Sequence, residues 1–171
     1  RHAGRTHGGS RLGDGTPVET VAVAAGARTF TRGHVYVDDD PSGTSQDEYL
    51  VKVRVLDDDG GIAAGETKAL VRNVAPVAIS LQPAPVIFEN DTATLELSFT
   101  DAGIADGHSV EIDWGDGSPL ETVAAPTGGA GMVTLTHLYR DDNPSGTMVD
   151  DYTVTAVVKD DDGGVSNAVQ T

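Results

Sequence analysis

Apolar and polar positions alternate with a period of two along most of this chain, the pattern of half-buried β-strands. The cleanest run sets Ala93, Leu95, Leu97 and Phe99 against Thr94, Glu96 and Ser98. Val110, Ile112 and Trp114 alternate with Glu111 and Asp113, and Val133, Leu135 and Tyr139 form another row with His137 on their parity. Tyr152, Val154, Ala156 and Val158 oppose Thr153, Thr155 and Lys159, while Tyr49, Val51, Val53 and Val55 oppose Leu50, Lys52, Arg54 and Leu56. Both of these last rows continue in phase into aspartates, Asp160 and Asp162 in one and Asp57 and Asp59 in the other. Two carboxylates per row are therefore aimed along the core face where the strand ends, and Gly60-Gly61 and Gly163-Gly164 then turn the chain. Further strands are expected over residues 17–24, 28–37, 66–72 and 77–81. No stretch carries the period of a long amphipathic helix.

The rows come in pairs. HVYVDDDPSGTSQDEYLVKVRVLDDDGG, from His34, matches HLYRDDNPSGTMVDDYTVTAVVKDDDGG, from His137, at an offset of 103 residues. GDGTPVETV, from Gly13, matches GDGSPLETV, from Gly115, at an offset of 102. This is a tandem repeat of about one domain length. It divides the chain into a partial repeat over residues 1–75, without a counterpart of 77–100, and a fuller repeat over 76–171 whose last strand is incomplete. Asn73-Val74-Ala75-Pro76 reads as a short, stiff linker. Residues 1–11 are basic, Gly-rich and without periodicity, and Arg11-Leu12 stands where the second repeat has Asp113-Trp114, so a strand there stays open. A repeat short of strands exposes an apolar face and an unpaired edge. Other copies of the chain, or neighbouring repeats, are expected to complete it head-to-tail by adding a strand. The alternative is a piece cut from a longer array, since the chain opens on Arg1 rather than Met.

The chain has 171 residues and a formal net charge of -16. That charge argues against nucleic acid and anionic membrane surfaces, which need basic patches, and it suits divalent cations. No apolar run is long enough to insert in a membrane. There is no cysteine, which fits either a cytosolic protein or an extracellular one that ties its loops with metal. The acidic turns gather the candidate ligands: Asp38 and Asp39, Asp57 and Asp59, Asp141 and Asp142, Asp160 and Asp162. Calcium takes six to eight oxygens, many from carboxylates, and neutralises aspartates that otherwise repel one another. Solvated turns are the plainer reading, and no EF-hand spacing singles out a ligand set. His34 and His137 each stand alone, so hydrogen-bonded strand histidines are expected rather than ligands or bases. No nucleophile elbow is present, and no enzyme is expected.

Three motifs carry a family resemblance: Trp114-Gly115-Asp116-Gly117, His137-Leu138-Tyr139, and the valine row ending in Asp-Asp-Asp-Gly-Gly. At these residues the chain resembles the PKD (polycystic kidney disease) domain. The likeness covers 77–171 and, less fully, 13–72. It implies tandem immunoglobulin-like β-sandwiches in a secreted or cell-surface bacterial protein, and it favours the extracellular reading of the missing cysteines. It adds Asp116 to the calcium candidates, because an acidic residue near this turn can join a cation site in that family. The function it implies is a calcium-stabilised spacer, stalk or filament-forming module. The alternative is an accessory carbohydrate-binding module of a secreted hydrolase. Against that alternative, Trp114 and the tyrosines at 36, 49, 139 and 152 all fall on strand positions.

Overall fold

The computed structural model describes residues 6–39, 43–82, 86–141 and 146–171. These are all-β, with eleven strands in three antiparallel sheets. They divide into two compact units, residues 6–39 with Gln46–Arg72, and residues 43–45 with Asn73–Thr171.

The first unit is one sheet of order β2-β1-β3-β4, built from β1 (Thr6–Arg11), β2 (Glu19–Val23), β3 (Gln46–Leu56) and β4 (Ile62–Arg72). The aperiodic Gly-rich start thus forms a central strand. It pairs with β3 from His7↔Leu56 to Arg11↔Lys52 and with β2 from Thr6↔Val23 to Ser10↔Glu19. Ladders on both sides supply what its small side chains do not. Gly8 also leaves room for a ring, since a Cβ there would lie 3.2 Å from Phe30 Cζ.

The strand expected over residues 28–37 does not form. Its counterpart in the second unit is β9 (Ala130–Leu138), which pairs with β6 (Thr92–Thr100) along nine register positions. The described residues of the first unit hold no counterpart of β6, so the segment lacks a ladder partner. Apolar alternation makes a strand only where a neighbour satisfies the backbone.

The second unit holds two sheets, β5-β6-β9 and β11-β10-β7-β8. The remaining strands are β5 (Val77–Leu81), β7 (His108–Asp113), β8 (Glu121–Ala125), β10 (Thr155–Asp160) and β11 (Val169–Gln170). The order β8-β7-β10-β11 repeats that of the first unit. Inward rows of both sheets share one core: Leu95, Leu97, Phe99 and Leu135 from one, Val110, Ile112, Ala156 and Val158 from the other, with Trp114 1% exposed. That arrangement is sandwich-like. Gly131 sits opposite Phe99 in register, and any side chain there would run into the Phe99 ring. In β3 the matching row is less covered, with Val51, Val53 and Val55 only half-buried. Pairing in β10 starts at Thr155, later than the expected Tyr152, because its partner β7 ends opposite at Asp113. No helix among the described residues is long and apolar enough to cross a membrane.

Candidate metal centre

The turn after each valine row is built the same way twice. Asp57 Oδ1 accepts the backbone N–H of Asp59 at 3.1 Å and of Gly61 at 2.6 Å. Asp160 Oδ1 accepts those of Asp162 at 3.1 Å and Gly164 at 2.5 Å. The backbone closes each turn, Asp57 N to Gly61 O at 3.1 Å and Asp160 N to Gly164 O at 3.2 Å. The first glycine of each pair has φ of 88°, a left-handed value that a side chain resists. Asp160 Oδ2 also accepts from Asn73 Nδ2 at 2.8 Å. The first aspartate of the motif therefore holds backbone, and in the second unit the next two are turned elsewhere.

Asp161 and Asp162 meet Asp106, with carboxylate oxygens of all three within 4.8 Å of one another. Asp106 is 1% exposed and follows a turn in which its own N–H reaches Gly103 O at 3.3 Å. Its carboxylate packs on Gly103, where no side chain would fit. Gly107 N donates to Asp161 Oδ1 at 2.8 Å, tying this loop to the other turn. Calcium–oxygen distances of about 2.3–2.6 Å put ligand oxygens up to about 5 Å apart across an ion, so the trio fits a hard cation. Backbone carbonyls and water would complete its shell.

His108 and Asp101 adjoin Asp106. His108 Nδ1 faces Pro126 O at 3.1 Å and Nε2 faces Asp101 Oδ2 at 2.9 Å. Both ring nitrogens thus point at acceptor oxygens and away from the acidic trio. Asp101 Oδ1 accepts Gly103 N at 3.1 Å, which shapes the loop. The trio of Asp106, Asp161 and Asp162 therefore offers oxygen donors alone.

Asp116 and Asp141 lie at the far end of the same unit. Register sets Asp160 opposite His108 at one end of β7 and Thr155 opposite Asp113 at the other, about 17 Å apart at 3.3 Å per residue. Asp116 Oδ1 accepts Ser118 N at 3.0 Å, and Oδ2 accepts His137 Nε2 at 2.8 Å. Burial works against its charged form, but the bonds from Ser118 and His137 outweigh it and hold the carboxyl at about 2. Asp14 repeats this, accepting Thr16 N at 3.1 Å and His34 Nε2 at 2.6 Å. Tyr139 OH donates to Trp114 O at 2.8 Å, as Tyr36 OH does to Leu12 O at 3.1 Å. Each of these tyrosines stacks on a second, Tyr152 at 5.0 Å and Tyr49 at 4.9 Å between centroids. Those second tyrosines donate to carbonyls, Tyr152 to Asp141 O at 3.2 Å and Tyr49 to Asp38 O at 3.3 Å.

Within the second unit Asp162 reaches the centre, Asp160 and Asp116 build turns, and Asp141 is exposed. In the first unit Asp57 repeats the role of Asp160, Asp59 is exposed, and Asp38 offers Tyr49 its carbonyl. Asp39 ends a described stretch, and Asp142 lies outside the described residues. Asp161 stands inside a cluster the sequence shows, whereas Asp106 is not among the candidates, nor is Asp101 as the residue shaping the loop. The available signal was a pair of loop aspartates flanking Gly103 directly after the clean β6 row. No protein-family model matches this chain, and no curated protein is similar to it.

Proposed function

We propose that the chain is a non-enzymatic structural module of an extracellular bacterial surface protein, built from two PKD-type immunoglobulin-like repeats and stiffened by calcium. One observation carries the reading: the same aspartate–histidine–tyrosine–tyrosine set recurs in both units with the same partners. Its polar atoms are spent on one another and on backbone, which is the economy of a scaffold rather than of a reacting site. Trp114 stacks on His137 at 4.8 Å, and its Nε1 donates to Glu121 Oε2 at 3.0 Å. Neither it nor the stacked tyrosines offers an open platform for a neutral sugar, which weighs against an accessory carbohydrate-binding module.

Calcium enters through Asp106, Asp161 and Asp162, whose mutual repulsion a divalent ion relieves. Assembly enters through residues 28–37, which lack a ladder partner among the described residues where β9 has β6. Another copy or a neighbouring repeat adding a strand there makes a head-to-tail contact, the kind that grows a stalk or filament. Thermal unfolding in chelator and in millimolar calcium tests the reading. Binding to the folded chain alone raises the midpoint, and Asp106→Asn removes the rise. An equal midpoint in both buffers contradicts it.

A further inference from the structure

We propose that the outer face of the first unit carries a cationic groove for an acidic polysaccharide. On β1 and β3 the outward residues sit in register as His7↔Leu56, Gly9↔Arg54 and Arg11↔Lys52. Gly9 puts no side chain between its neighbours, and a groove of about 420 Å³ opens there, with Val18 and Leu56 in its lining. Arg11, Lys52 and Arg54 rim it and are exposed. Among the described residues no ion pair engages any of the three. Glu66, opposite Lys52 on β4, is the acidic register neighbour of this row. Three free cations in one groove stand out on a chain of net charge -16.

The second unit supplies the contrast. Its sheet has the same order, and the residues matching Gly9 and Arg11 are Glu111 and Asp113, while Thr155 and Val157 match Lys52 and Arg54. The repeats agree at their turns and internal pairs and reverse charge on this face. A surface kept only for solubility gives no reason for that reversal.

The groove selects by chemistry. Its lining holds no Trp, Tyr or Phe, the rings on which neutral sugars stack, so stacking of neutral sugars is not its means. Arginine grips carboxylates through paired N–H donors. The cations repeat at about 5 Å across strands and about 7 Å along them, which suits regularly spaced carboxylates on a polymer whose apolar ring faces rest on Val18 and Leu56. β1, which runs through the groove, is bonded on both edges, so an acidic peptide finds no free backbone to pair with along it. Nucleic acid needs more phosphate contacts than this patch affords.

The test is binding of the whole chain to polygalacturonate in chelator, which separates it from the calcium reading, with dextran as the neutral arm and polyglutamate as the acidic polypeptide arm. Gly9→Glu and Arg11→Asp import the second unit's own residues. A Cβ at Gly9 meets nothing closer than 3.6 Å, so the fold should hold, and circular dichroism checks it. Arg54→Val is the companion variant should either fail to fold. The expected result is salt-sensitive binding to polygalacturonate, weakened about tenfold or more in each variant, with none to dextran. No binding, binding that the folded variants leave unchanged, or tighter binding to polyglutamate overturns the proposal.

Discussion

His137 donates from Nε2 to Asp116 Oδ2 across 2.8 Å while its ring lies against Trp114 at 4.8 Å. The pair pins the turn after β7 to the end of β9, and so joins the two sheets of the second unit. It is a structural bond made from residues that look like chemistry.

The pair gives stability a pH dependence. Asp116 falls from an ordinary 3.8 to about 2 in the folded chain. A depressed folded value favours the ionised form, so the contribution is complete above about pH 4 and disappears as pH falls through about 2. Urea midpoints at closely spaced pH values should drop across that window. Asp116→Asn should lower stability at pH 7 by about 2 kcal/mol, the worth of hydrogen bonds to a charged group, and flatten the drop.

Tyr139 makes the opposite case at alkaline pH. Burial first, then the charge of Asp116 and the neighbouring Tyr152, pushes its hydroxyl up to about 12. A raised folded value keeps its contribution whole below about pH 10 and loses it as pH climbs through about 12. Ultraviolet titration should show one tyrosinate delayed to that range. In Tyr139→Phe the phase near 12 should vanish, with about 1–2 kcal/mol lost with the bond to Trp114 O.

The two Asp-Asp-Asp-Gly-Gly turns should respond differently to one methyl group. At Gly164 a Cβ collides with Asp160 and lies 2.8 Å from Ala75 Cα, which is backbone. At Gly61 it meets only the Asp57 side chain, at 2.5 Å. Gly164→Ala should cost about 1–3 kcal/mol and exceed Gly61→Ala. Denaturant unfolding of the two variants decides it, and equal costs would refute the geometry.

Much of the second unit was legible because its rows are covered on both sides. Ala93 to Phe99 and Val154 to Val158 alternate and are buried as they alternate, and the phase carried correctly into Asp160 and Asp162. The same reasoning failed over residues 28–37, whose pattern is as good but whose partner strand is missing among the described residues. It leaves a strand over Thr6–Arg11 open, because Gly8 and Gly9 carry no pattern and the ladders on both edges are long-range. The acidic centre was half legible. Asp162 lies on a readable parity, whereas Asp106 comes from a loop 56 residues away that no local period reaches.

The most direct test of the account is a calorimetric calcium titration of the intact chain beside Asp106→Asn and Asp116→Asn. The account predicts binding heat in the parent chain, retained in Asp116→Asn and lost from the second-unit site in Asp106→Asn. No heat in the parent, or an isotherm that Asp106→Asn leaves unaltered, would contradict it.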